Sequence, residues 1–271
     1  MPLSRCSCSH VYVNPQLTRD ELEPFYRADY HQFRHATMTA EEITRDVRDF
    51  RGGRFTHVTI TPGGRYLDVG CGLGDMVAKV GALGMRAEGV EVSEVAVAIA
   101  RARGLEVFHG RLQDAGFPDA SFDALSMFHV LEHIHDPVDL LRACGPLLKP
   151  DGELLVVVPN IDCTLSRMLK DKWFHVDVPR HLHHFTPESL RAASGRAGLE
   201  VAELVTESLD WATEGELAYW LRQRFFIPAR VVMASGVLKP FARRLVARMN
   251  ATGRGDVIIA HLKRPAAGRP A

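Results

Sequence analysis

The sequence predicts an α/β fold, a mostly parallel sheet covered by helices on both faces. From residue 65 to about 204 the chain alternates short apolar runs with amphipathic stretches, and such alternation builds parallel strands joined by crossover helices. Within that span Arg65-Tyr-Leu-Asp-Val-Gly-Cys-Gly-Leu-Gly-Asp75 reads as strand, glycine turn and helix start. Near the end Asp256-Val-Ile-Ile-Ala-His-Leu262 reads as a last strand. The expected division is an N-terminal arm with helices at 1–58, an α/β core at 59–206, a basic helical insertion at 207–255, and the last strand and tail at 256–271.

Composition narrows the function classes. The 271 residues are 46% hydrophobic and 24% charged, ordinary values for a globular chain with a sizeable core. Lys plus Arg and Asp plus Glu each number 33, and zero net charge argues against a general nucleic-acid binder, which needs a basic surplus. The opening Met1-Pro-Leu-Ser-Arg5 lacks a signal peptide's apolar core, and no run reaches the roughly 18 apolar residues of a membrane span. A cytoplasmic protein is therefore expected. Five cysteines without a framework spacing are expected to be reduced thiols.

Taken in order, Cys6-Ser-Cys8 and Val11-Tyr-Val13 precede Asn14-Pro15, and Thr18 with Glu21 is a capping-box signature for a helix start. Residues 20–58 read as helices carrying Phe25, Tyr26, Tyr30, His31, Phe33, Arg34 and His35, and packing on the sheet is their plain role. Strands are expected at 65–69, 87–92, 105–108, 122–128, 153–158 and 199–206, and helices at 75–83, 94–103, 137–147 and 187–197.

The glycine turn carries the first functional signal. Gly70, Gly72 and Gly74 alternate, which permits positive φ and lets a ligand lie against bare backbone with a helix N-terminus behind. A dinucleotide site reads G-x-G-x-x-G; here the order is G-x-G-x-G with Asp68 at the strand end, and an acidic residue there suits a cation. The run Ala87-Glu-Gly-Val-Glu-Val92 ends at Glu91, where a carboxylate can accept both hydroxyls of a ribose. Such a pocket suits a nucleoside without a pyrophosphate.

Leu67-Asp-Val-Gly-Cys-Gly-Leu-Gly74 resembles motif I of the class I S-adenosylmethionine (SAM) dependent methyltransferases, and Gly89-Val-Glu-Val-Ser93 resembles their second motif. Phe117-Pro-Asp-Ala-Ser-Phe-Asp123, His129-Val-Leu-Glu-His133, Leu148-Lys-Pro-Asp-Gly152 and Val158-Pro-Asn160 are similar to that family in order and spacing. The resemblance implies a seven-stranded, doubly wound Rossmann-like sheet whose last strand is antiparallel. It implies SAM as cofactor, held by Asp68, Gly70, Cys71, Gly72, Gly74 and Glu91, with Phe128 beside it. Family members often place an acidic residue in the third motif to accept from the adenine amino group; this chain has Arg111, which leaves Leu112 and Gln113 as adenine contacts, with Asp114 as an alternative. In the family an N-terminal arm covers the pocket, which makes Tyr30 and His31 pocket candidates. The Cys6-Ser-Cys8 segment resembles the tail of a small zinc ribbon that precedes some methyltransferases, although the C-x-x-C pairs are missing.

His129-Val-Leu-Glu-His133 also matches H-x-x-E-H, in which two histidines on one helix bind zinc and Glu activates water. Here the motif directly follows a strand and Asp136-Pro137 comes next, which disfavours the peptidase reading. The ubiquinone-pathway O-methyltransferases and the small-RNA 2′-O-methyltransferases carry a similar E-x-x-E-H that binds a divalent cation with a further His; in this chain His129 replaces the first Glu. Pro179-Arg-His-Leu-His-His-Phe185 offers His181, His183 and His184. The metal candidates are thus His129, Glu132, His133 and His184, and the catalytic candidates His129, His133 and His183, since imidazole removes protons near neutral pH. An acid–base or structural role is preferred over metal binding. The aperiodic segment from Trp173 to Phe185 suits substrate recognition.

Between Leu217 and Gly255 stand eight basic residues, Arg222, Arg224, Arg230, Lys239, Arg243, Arg244, Arg248 and Arg254, and no acidic one. Apolar side chains interleave them, as in Phe225-Phe-Ile227 and Val231-Val-Met233. Such an insertion is either a solvated cap or an amphipathic element that meets a membrane face or an anionic substrate. The expected activity is methyl transfer from SAM to a small-molecule acceptor, an anionic or lipid-linked one included, at a hydroxyl rather than at nitrogen or carbon. A non-catalytic SAM-fold module is the alternative.

Overall fold

The computed structural model of the chain describes residues 1–26, 39, 42–43 and 57–265. It opens with a hairpin, β1 (Leu3–Arg5) and β2 (Val11–Val13), and a short helix, α1 (Arg19–Leu22). The capping box forms as expected: Thr18 N–H donates to Glu21 Oε2 at 2.8 Å and Glu21 N–H to Thr18 Oγ1 at 3.4 Å. Tyr30, His31, Phe33, Arg34 and His35 lie outside the described residues.

The alternating core follows as β3 (Arg65–Val69), α2 (Asp75–Ala82), β4 (Arg86–Glu91), α3 (Glu94–Ala102), β5 (Glu106–His109), β6 (Phe122–Phe128), α4 (Pro137–Leu147) and β7 (Leu148–Pro159). Then come α5 (Thr164–Leu169), β8 (His183–His184), α6 (Pro187–Arg196) and β9 (Glu200–Glu207). The insertion supplies α7 (Asp210–Phe225), α8 (Ala229–Ser235) and α9 (Lys239–Ala251), before the last strand β10 (Val257–Lys263).

Seven strands form one sheet in the order β5-β4-β3-β6-β7-β10-β9. Neighbours from β5 to β7 are parallel, and β10 runs antiparallel to both β7 and β9. The strand order reverses between β3 and β6, and in open α/β sheets ligands bind beyond the carboxyl ends at such a point. Both faces of the sheet are covered, so its central strands are apolar on both sides: Leu154 through Val158 on β7 are at most 2% exposed. Helix α4 begins where it was expected because Asp136 caps it, accepting from Asp139 N–H at 2.9 Å, with Pro137 fixing the first turn.

Several features depart from expectation. β7 begins at Leu148 rather than 153, because Leu148 pairs with Phe122 ahead of an irregularity in the β6–β7 register. β1, β2 and β8 form a separate three-stranded antiparallel sheet, so the N-terminal hairpin pairs with the histidine loop, Val11 opposite His184 and Tyr12 opposite His183. Cys6 and Cys8 are joined by a disulfide, contrary to the expectation of reduced thiols throughout, while Cys71, Cys144 and Cys163 are free and buried. Between β9 and β10 the chain forms the three helices α7 to α9, and their apolar residues divide between two environments. Leu217, Ala242, Val246 and Met249 pack on Cys163, Leu165, Leu169 and Trp173; Phe225, Phe226 and Val231 remain 53%, 89% and 55% exposed.

Candidate active site

The glycine turn leaves β3 at the switch point and folds back on β4. Gly70 N–H and Cys71 N–H both donate to Val90 O, at 2.8 and 3.1 Å, and Gly72 N–H donates to Glu91 Oε2 at 2.9 Å. The other carboxylate oxygen of Glu91 accepts from Ser93 N–H at 2.8 Å. Two fixed amides therefore aim the carboxylate, and each oxygen keeps acceptor capacity for a ribose hydroxyl. The glycines divide by task. Gly70 has φ +74°, and a Cβ there would stand 2.6 Å from Val130 Cγ2. Gly72 has φ +52°, and a Cβ there would meet nothing within 4 Å. Gly70 is thus required by packing, whereas the bare backbone of Gly72 borders open space of the kind a nucleoside can fill. Cys71 is buried beside Gly89, and burial, with the charges of Asp68 and Glu91, pushes its thiol above the usual range.

Beneath the turn lies a hydrogen-bonded chain that sequence reading missed. Ser126 Oγ donates to Asp68 Oδ1 at 2.6 Å and lies 2.5 Å from the Tyr66 hydroxyl. Burial pushes Asp68 up to about 7; the Ser126 hydrogen bond opposes this and the nearby Glu91 charge adds to it. A buried acid poised near neutrality ionises readily beside a cationic ligand. The available signal was Ser126, a hydroxyl within the apolar run Phe122–Phe128. Of the residues expected to contact adenine, Leu112 buries its side chain with Val69 and Val90, Gln113 is exposed, and Asp114 is held by Arg111 through hydrogen bonds of 2.8 and 3.0 Å. Phe128 packs at the end of β6 against the Tyr66 side of the core. A cavity of about 310 Å³ between β4 and β5, lined by Glu88, Leu105 and Phe108, includes neither the glycine turn nor Glu91.

The histidine segment begins one residue past β6. His129 takes φ +57°, a left-handed conformation that is strained for a residue with a Cβ, and its Nδ1 lies 3.1 Å from Glu132 Oε1. Only one short 3₁₀ turn, Leu131–His133, follows, so the motif has no long helix of the peptidase type. Glu132 is fully buried; burial opposes its charge, but the His129 hydrogen bond and the charges of His129, His133 and His181 prevail and hold it down to about 2. Burial also lowers His181 to about 3. A carboxylate beside imidazoles is a donor set that divalent cations take.

Ligand atoms of Glu132, His133 and His181 all lie within 4.8 Å of one another, and Glu132 Oε2 is buried without a hydrogen-bond partner. The histidine that completes this group is His181, not the expected His184. His184 Nε2 lies 2.9 Å from Val176 O, and its Nδ1 is a buried orphan. His183 stands outside the group as well, with Nδ1 2.9 Å from His10 Nε2 and Nε2 3.4 Å from His135 O. His133 Nδ1 lies 3.1 Å from Arg180 O, so the loop after α5 sets its ring. His175, a residue the sequence did not single out, stacks on His129 with ring centroids 5.8 Å apart.

Comparison with known proteins identifies the family. A methyltransferase domain family matches residues 37–204. The ubiquinone biosynthesis O-methyltransferase of Aromatoleum aromaticum is 28% identical over 165 residues, 56% of this chain and 70% of that protein. The protein of the same name from Xanthomonas oryzae pv. oryzae is 32% identical over 156 residues, 54% of this chain and 65% of that protein. The chain thus spans about two thirds of the length of these relatives. Among solved structures, a SAM-dependent methyltransferase from Archaeoglobus fulgidus superposes with a TM-score of 0.52 at 18% identity, over 90% of this chain and 98% of that one. At that identity the likeness is one of fold.

Proposed function

The chain belongs to the class I SAM-dependent methyltransferases, and from that premise we propose that it transfers the methyl group of SAM to a hydroxyl oxygen of a small molecule. The buried Glu132–His133–His181 group beside the switch point carries this reading. A neutral amine attacks a methyl sulfonium unaided, whereas a hydroxyl needs its proton removed or its oxygen polarised. A cluster of carboxylate and imidazole serves the second need. The relatives from Aromatoleum aromaticum and Xanthomonas oryzae, both named as O-methyltransferases, support the same reaction.

The open backbone at Gly72 and the aimed carboxylate of Glu91 fit the nucleoside part of SAM, and buried Asp68 fits a positively charged part. The activated methyl is the chemistry that SAM supplies. The chain's own residues align the acceptor oxygen with it, exclude water and receive the hydroxyl proton, with His129 and His133 as its receivers and the Glu132 carboxylate holding His129 in place. The orphan Glu132 Oε2 and the proximity of one carboxylate and two imidazoles also fit a divalent cation at Glu132, His133 and His181, which would polarise the acceptor oxygen. We place the reaction in the cytoplasm on an anionic or lipid-linked acceptor. The exposed Phe225, Phe226, Ile227 and Val231 among arginines support contact with an anionic membrane face. Among the described residues no helix is long and apolar enough to cross a membrane.

The reading is tested with an acceptor panel of aryl hydroxyls, amines and carbon acids, assayed with SAM in chelator and in added Mg²⁺, Mn²⁺ or Zn²⁺. Methylation should be confined to hydroxyls, and Glu132→Gln should lower turnover about 10²-fold or more. Preferential methylation of amines, unaffected by Glu132→Gln, would contradict it.

A further inference from the structure

A second group of buried acidic and imidazole side chains lies outside the glycine turn and the Glu132 group. His175 precedes the histidine loop, Glu216 lies on α7 of the insertion, and Asp256 immediately precedes β10. One ligand atom from each lies within 4.8 Å of the other two, and His175 Nε2 is 3.4 Å from Glu216 Oε1. That spacing matches the edge between neighbouring ligands around an ion bound at about 2.0–2.2 Å. Asp256 is fully buried and Glu216 is 8% exposed. Glu216 Oε2 and both Asp256 carboxylate oxygens have no hydrogen-bond partner, and among the described residues no Lys or Arg pairs with either acid.

Carboxyl groups buried this close together lose their hydration, a cost that a bound cation offsets. The unpartnered Asp256 carboxylate contributes one atom to this three-residue group. We propose that His175, Glu216 and Asp256 form a site for a first-row divalent metal ion such as Zn²⁺ or Mn²⁺. One imidazole with two carboxylates suits these ions better than Mg²⁺ or Ca²⁺, which prefer oxygen alone. The ion ties the insertion to the sheet edge and fixes His175, whose backbone oxygen lies 2.8 Å from His181 Nδ1 and whose ring stacks on His129. It thereby sets the loop that shapes the acceptor side of the active site. The inference stands whether or not the methyl acceptor is a hydroxyl.

The test is elemental analysis of the full chain after equilibration with Zn²⁺ or Mn²⁺ and removal of excess, together with melting curves. Asp256→Asn and Glu216→Gln should each lose about one equivalent of metal that Glu132→Gln retains. Added metal should raise the melting temperature of the wild type and of Glu132→Gln but not of Asp256→Asn. Where a variant fails to fold, anomalous scattering from the zinc-loaded wild type replaces it, with a peak expected between the three side chains. Unchanged metal content in Asp256→Asn overturns the proposal, as does an anomalous map without that peak. So does an Asp256→Asn protein that is more stable than a wild type indifferent to metal, because the two acids would then be protonated or paired with an organic cation.

Discussion

Gly70 and Gly72 stand two residues apart, both with positive φ, yet their substitutions should fail in different ways. Gly70→Ala meets Val130 at 2.6 Å, so strain and clash together should cost about 1–3 kcal/mol of stability. Gly72→Ala carries only the left-handed backbone cost, about 1–2 kcal/mol. Its methyl enters space that the ligand needs, so its main effect should be lost S-adenosylhomocysteine binding in a protein that still folds. Denaturant melts and calorimetric titration on both variants check this; equal binding by Gly72→Ala and wild type would place the ligand elsewhere. Asp68 makes a separate claim. Its folded pKa of about 7 lies above the roughly 3.9 of an unfolded carboxylate. Its stabilising contribution as a neutral acid is therefore present at low pH and is lost as pH rises from about 4 through 7. A cationic ligand lowers that pKa, so binding should tighten as pH rises toward about 7 and release a proton below it. Calorimetry in buffers of different ionisation enthalpy should detect the proton in wild type and not in Asp68→Asn; a pH-independent affinity in the wild type would remove Asp68 from the cationic end of the pocket.

The small sheet β1-β2-β8 acts as a clasp that the sequence did not disclose, because two of its strands have only three residues and the third, β8, has two. Strands that short have no periodicity to read, and their pairing is a long-range choice. Val13 N–H donates to Leu182 O at 3.0 Å and His135 Nε2 lies 2.8 Å from Leu17 O, so the N-terminus fixes the histidine loop from outside. His10 completes the clasp with His183, and burial followed by the charges of His183 and His184 lowers its pKa to about 4. A depressed histidine contributes stability above its unfolded pKa of about 6.5 and loses it as pH falls toward about 4. Wild type should therefore lose about 1–2 kcal/mol more than His10→Gln between pH 7 and 4.5, a figure already discounted for partial exposure. Urea melts at the two pH values decide it, and equal losses would deny His10 this role. The turn between α7 and α8 makes the second claim among the elements. If Phe225, Phe226 and Ile227 meet anionic lipid, sedimentation with anionic vesicles should be strong at low salt and weaken with screening. Phe226→Ser should reduce it while leaving the fold intact, since Phe226 is 89% exposed; a wild type that stays unbound at low salt rejects the membrane contact.

Across the molecule, legibility tracks how local the cause is. β6 and α4 span the expected residues because an apolar run and an Asp-Pro cap state their own limits. The seven-stranded sheet with its antiparallel last strand came through resemblance, and the glycine turn through spacing. The choice of His181 over His184 could not be read, since histidines three positions apart on one loop differ only in which way the loop turns, and that depends on pairing with β2. Ser126, His175, Glu216 and Asp256 were hidden for the same reason, each gaining its meaning from a partner far away in the chain. At the scale of the whole molecule the proposal is a SAM pocket at the β3–β6 switch point beside a cluster that activates the acceptor oxygen. That proposal is tested by incubating the protein with SAM labelled in its methyl group and a host metabolite extract, then identifying the labelled product by mass and fragmentation. The expected result is a product in which the label sits on oxygen, formed by wild type and not by Glu91→Ala, whose lost ribose contacts should cost roughly 1.5–3 kcal/mol of binding. Label found on nitrogen or carbon, or transfer that survives Glu91→Ala undiminished, would contradict it.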